Sequence, residues 1–62
     1  MKTEFNRFKL YILFDGMFYL YLQSGLDFAK DKAEWAMGEY NFTKAQTCMK
    51  SNDTVLMTIE KE

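Results

Sequence analysis

Residues 5–23 read FNRFKLYILFDGMFYLYLQ, and the reading of this stretch decides the fold. Phe5 to Phe14 is dense in aromatic and in long or β-branched apolar side chains. Asp15-Gly16 follows, and Met17 to Gln23 resumes the same character. An Asp-Gly pair between strand-like runs signals a hairpin, because a type I′ turn needs positive φ at both central positions. A two-residue loop would set Phe14 opposite Met17, Ile12 opposite Tyr19 and Leu10 opposite Tyr21, on a nearly all-apolar face. The other face would pair Leu13 with Phe18, Tyr11 with Leu20 and Lys9 with Leu22. One face should pack on a helix. The mixed face is either partly solvated or covered by a partner.

Ser24-Gly25 interrupts the strand pattern. Beyond it, Leu26, Ala29, Ala33, Ala36, Met37 and Tyr40 recur at spacings of three and four, which predicts a helix over about 25–40. Two capping boxes compete for its start, Ser24 with Asp27 and Asp31 with Glu34. The apolar stripe favours the earlier one. Asn41 can close the helix in the left-handed conformation. FTKAQTCM (42–49) then alternates without a helical stripe, although an extended helix through Met49 is an alternative. Ser51-Asn52-Asp53 is a turn cluster. Thr54 to Glu60 reads as a strand with Val55, Met57 and Ile59 on one side. The expected fold class is α+β, a single domain over residues 1–62, β-β-α-β-β, with one helix on a short antiparallel sheet.

The 62 residues allow one domain at most. A chain of this size buries only about 60% of the surface it exposes when unfolded, which leaves little room for a deep cleft. The hydrophobic content of 48% and aromatic content of 18% are nevertheless those of a folded chain. A net charge of −1 offers no global attraction to nucleic acid. One cysteine, Cys48, excludes an internal disulfide and fits a reducing compartment. The N-terminal residues lack a signal-peptide pattern. The apolar run Leu10–Leu22 is too short to span a bilayer.

Histidine, the commonest general base, is absent. Metal-ligand spacing and a glycine-rich phosphate loop are also missing. The expectation is a protein that binds rather than catalyses, with no catalytic residues, no metal and no cofactor.

In the helix, Trp35 falls on the side opposite the Ala33–Tyr40 stripe, about 150° from its centre at 100° per residue. Phe28 and Phe42 lie seven residues to either side. With a helix long enough to reach both, the three would form one outer aromatic row. Charged neighbours argue against that row being the core stripe. The indole then either lies over a neighbouring loop or sheet edge, or stays open as an anchor for a partner. Tryptophan is enriched at interface hot spots. Gly38, one turn on, costs about 1 kcal/mol relative to alanine, and would let a partner's backbone approach. Asp27, Asp31, Glu34 and Glu39, diluted by Lys30 and Lys32, surround the region. They are either a solvated face or a complement to a basic groove.

The segment KDKAEWAMGEY (30–40), followed by Lys44-Ala45, a turn and a short last strand, resembles the Dmd antitoxin family of T-even-like bacteriophages. The matching positions are Lys30, Asp31, Glu34, Trp35, Ala36, Tyr40, Lys44 and Ala45. Glu34 stands where the family has an amide, Gly38 is a further difference, and the spacing after Tyr40 needs a one-residue gap. The resemblance covers the C-terminal half; the aromatic N-terminal half matches in character, with a tighter turn. It implies a small antitoxin in the host cytoplasm that binds an mRNA-degrading endoribonuclease toxin of the RnlA/LsoA type and blocks its RNA cleft. Trp35 would be the anchor. Tyr40 would be structural rather than contacting, and Thr43 would lie where the family places a polar residue just before Lys-Ala. Asp31, Glu34, Glu39 and Phe28, placed near the indole by the helix reading, join it as candidate toxin contacts. An alternative function is single-stranded nucleic-acid binding, with Phe8, Tyr19 and Tyr21 stacking bases and Arg7 and Lys9 near the backbone. A monomer or weak dimer paired through edge strands is compatible with either.

Overall fold

A computed structural model describes residues 8–61. Phe5 and Arg7 lie outside the described residues, as does the N-terminal stretch read for a signal-peptide pattern. The elements are β1 (Phe8–Phe14), β2 (Phe18–Ser24), α1 (Leu26–Tyr40), β3 (Lys44–Met49) and β4 (Val55–Glu60). They form the expected β-β-α-β-β arrangement. Among the described residues the sheet is antiparallel with spatial order β2-β1-β3-β4, so β2 and β4 are its edges there.

The hairpin forms where Asp15-Gly16 places it, and both residues take positive φ, 51° and 69°. Its register differs from the two-residue reading. Met17 donates its amide to the Phe14 carbonyl but stays out of the ladder, and Phe14 pairs with Phe18. Ile12 therefore opposes Leu20, and Leu10 opposes Leu22. A one-residue slip moves a whole strand face. Here it gathers Leu20 and Leu22 with the core and turns Tyr19 and Tyr21 to the opposite, open face. The slip follows from hydrophobicity: two leucines enter the interior more cheaply than two phenols, whose hydroxyls would need partners there.

The core lies between the sheet and α1. Ile12 and Phe14 of β1 and Ala45 of β3 meet Ala33, Ala36 and Met37 of the helix, with Leu20, Leu22, Phe42 and Ile59 around them. Leu10 of β1 is buried as well. Ala29 is also buried. The three helix alanines allow a close approach, while β1, flanked by two strands, supplies the bulk. Leu26 and Tyr40 complete the helical spacing but are exposed, so the stripe is shorter than its sequence pattern.

Neither capping box forms. Gly25 is the N-cap with no side-chain bond, and the Ser24 hydroxyl donates to the Gly25 carbonyl instead. At the other end Asn41 is left-handed, as its type allows, and its amide and that of Phe42 reach the Met37 carbonyl. The helix ends there, so Phe42 is not part of an outer helical row. It stacks on Phe14 at 4.8 Å between ring centroids. Residues 44–49 are strand, not extended helix. In β4 the ladder shifts at Thr47/Cys48: Thr47 pairs with Met57 and Cys48 with Val55, leaving Leu56 extra. This bulge turns Val55 away from the side shared by Met57 and Ile59.

The carboxylate of Asp15 ties the hairpin tip to the start of β3. It accepts from the Thr43 amide (3.0 Å), the Thr43 hydroxyl (2.9 Å) and the Lys44 amide (2.8 Å).

Candidate protein-binding groove

Trp35 sits in the third turn of α1 and is 53% exposed. It neither stands free on a charged face nor is covered by its own domain. The ring meets Tyr40 edge-on, with centroids 6.1 Å apart and planes at 89°. Tyr40 in turn lies 5.9 Å from Phe42, and Phe42 lies 5.4 Å from Phe18. These rings border an open apolar groove of about 530 Å³ between the C-terminal half of α1 and the hairpin tip, with Phe14 and Leu20 at its floor. The groove also touches Tyr19. Phe18 and Leu20 point to the helix side of β2 and Tyr19 to the open side, so the groove reaches over the free edge of that strand.

Its lining is dominated by aromatic rings. Phe18, Trp35 and Tyr40 are each more than half exposed, and isolated exposed apolar residues are ordinary while a contiguous aromatic set is not. Large rigid rings bury much area for few rotatable bonds. Lys32 lies over Phe28 (5.5 Å to the centroid) and over Trp35 (5.3 Å), which joins those two side chains into one row. Such contacts are worth about 0.5–1 kcal/mol at exposed sites.

Other expected site residues are distributed unevenly. Phe28 is 53% exposed and shares the Trp35 side of the helix. Asp31, Glu34 and Glu39 are exposed on α1, and Glu34 makes a loose contact with Lys30 at 3.9 Å. Thr43 is exposed, but its hydroxyl and amide are engaged by Asp15. Its local part is to hold the hairpin tip. Sequence reasoning missed Phe18, Tyr40 and Phe42 as groove residues. The available signal was the cluster of rings at the two chain reversals, Phe14–Phe18 and Tyr40–Phe42, which a hairpin followed by a helix must bring together.

A second aromatic cluster occupies the open sheet face. Tyr11 lies 5.6 Å from Tyr19 and 6.1 Å from Tyr21, and Lys50 lies 5.7 Å from the Tyr21 centroid. Phe8 has the parity of Leu10 and Ile12, so it points to the helix side and does not join these tyrosines. The Tyr11 hydroxyl donates to Asp53 at 2.8 Å, and that bond raises its pKa above the ordinary phenol value.

The groove is lined by aromatic and aliphatic side chains, whose polar atoms are the hydroxyls of Tyr19 and Tyr40 and the indole nitrogen of Trp35. Among the described residues no cluster of acidic, cysteine or histidine side chains could hold a metal ion. No helix among them is long and apolar enough to cross a membrane. Comparison with protein-family models, curated proteins and solved structures gives no match to this chain.

Proposed function

We propose that this chain is an antitoxin of the phage Dmd type, which binds a host endoribonuclease of the RnlA/LsoA type and occludes its RNA cleft. One observation carries the reading: the only tryptophan borders an open aromatic groove instead of filling the core. The KDKAEWAMGEY resemblance supplies the class of partner. Acidic Asp31, Glu34 and Glu39 flank the indole and would face a basic RNA-binding cleft, where charge complementarity speeds encounter and selects the partner. The test is co-purification with a candidate toxin, paired with growth of toxin-expressing bacteria. The chain should be retained by the toxin and restore growth. Absence of both would remove the reading.

The tyrosines of the open face support a second reading, a single-stranded nucleic-acid platform, because stacked rings beside Lys9 and Lys50 suit base stacking. Titration with labelled oligonucleotides at two salt concentrations distinguishes the two. Tight, salt-sensitive binding favours the platform, and no binding removes it.

A further inference from the structure

The two sheet edges are protected very differently. Strand β4 carries a bulge and ends on Glu60 beside Lys61, both features that discourage another strand from pairing. Strand β2 reads FYLYLQS, without a charge, a proline or a bulge. Its backbone groups can be followed through the ladder. Lys50 donates to the Lys9 carbonyl, and Asp15 donates to the Lys44 carbonyl. Odd-numbered residues of β1 therefore bond toward β3, and even-numbered ones bond toward β2. The partners of the even residues, Phe18, Leu20 and Leu22, are thus satisfied. Tyr19, Tyr21 and Gln23 turn their N–H and C=O groups outward, along an edge that no other described strand covers.

We infer that β2 pairs antiparallel with β2 of a second copy of this chain, centred on Tyr21, to give a two-fold dimer with a continuous eight-stranded sheet. A two-fold axis normal to the sheet keeps both helices on one side. It also sets the Phe18 end of one β2 beside the Ser24 end of the other. The groove around Trp35 lies at the Phe18 end, and exposed Leu26 and Phe28 lie at the Ser24 end. Each copy thus offers a recess where the other offers a projection, the self-complementarity that a two-fold interface requires.

Spacing and charge agree with this arrangement. Helix α1 packs over β1 and β3 as well as β2. With strands about 4.8 Å apart, the two helices would stand about 15–19 Å from each other. Small side chains would leave that gap open, whereas Phe28 and Trp35 can fill it. Asp31 and Lys32 lie mid-helix, within about 60° of both aromatics. The two-fold sets Asp31 of each copy toward Lys32 of the other. The dimer would cover the Trp35 groove, so self-association and capture of another partner through this groove are mutually exclusive. The pairing does not depend on the antitoxin reading.

Sedimentation equilibrium from about 1 μM to about 1 mM tests it. The mass should rise from 7.4 kDa to twice that value. Tyr21 is exposed, so Tyr21→Lys and Tyr21→Glu should both keep the circular dichroism of the parent. Each places like charges opposite each other at the two-fold and should weaken dimerisation at least tenfold. An equimolar mixture of the two should restore it. Should either variant lose its helical signal, a synthetic chain N-methylated at Tyr21 removes one outward donor and should dimerise at least tenfold more weakly. A parent that stays monomeric throughout overturns the inference. So does a dimer indifferent to all three changes, or a mixture of folded variants that stays monomeric.

Discussion

Asp15 and Thr43 stand 28 residues apart in sequence, and the carboxylate of the first binds both the amide and the hydroxyl of the second. The aspartate therefore has two tasks. It accepts the left-handed conformation that the turn needs, and it fastens the turn to the strand that follows the helix. Desolvation raises its pKa, but hydrogen bonds from Thr43 and Lys44 outweigh that and hold it below the ordinary carboxylate value. A depressed folded-state pKa gives stability that is present above the unfolded value of about 3.9. That stability is lost as pH falls through the folded one. Asp15→Asn tolerates the same backbone and should lower the Tm at neutral pH while flattening the acid limb of a pH–Tm curve. An unchanged acid limb would remove the assignment.

Tyr11 and Asp53 give the opposite sign. The hydrogen bond raises the phenol pKa, so the contribution is complete below the unfolded value of about 10. It disappears as pH rises through the folded value. Tyr11→Phe should lower the Tm at pH 7 and make the alkaline limb shallower. Thermal scans between pH 7 and pH 11 check both effects.

Gly38 separates stability from binding. It lies inside α1, and a Cβ added there would meet nothing within 4 Å. Gly38→Ala should stabilise the domain by about 0.5–1 kcal/mol in chemical denaturation. If a partner's backbone approaches that turn, the same variant neutralises toxin less well despite its greater stability. Equal neutralisation would mean that the glycine has no part in recognition.

Much of this architecture was legible in the sequence, for reasons that can be named. Asp15-Gly16 fixed the hairpin because few residue pairs accept two positive φ values in succession. Ala29, Ala33, Ala36 and Met37 fixed the helix because their spacing admits no strand. The register was not legible, because one residue, Met17, decides it by standing outside the ladder. The N-cap was not legible either, because Ser24 had a competing acceptor in the Gly25 carbonyl; the C-cap was, and Asn41 closes the helix in the left-handed conformation. Trp35 points away from the stripe and is half-exposed, as its place on the helical wheel indicates, but a helical wheel treats a side chain as a direction rather than a length. An indole aimed away from the stripe still reaches sideways to Tyr40 and the groove. Tyr40, conversely, fits the stripe and emerges into solvent because the sheet below it has ended.

Trp35 reports on its own surroundings. At low micromolar concentration its emission should be quenched by acrylamide, consistent with its half-exposed ring. Binding of a partner in the groove should shift that emission to the blue and protect it. Full protection in the dilute monomer would show that the domain covers the ring itself.

The most direct test of the central claim is an RNA-cleavage titration with a purified RnlA/LsoA-type toxin, comparing the parent chain with Trp35→Ala. The parent should abolish cleavage near equimolar ratio. The variant should keep its fold while requiring about 30-fold more protein, the equivalent of about 2 kcal/mol at an interface anchor. Undiminished cleavage in the presence of the parent, or equal potency of the folded variant, would contradict the account.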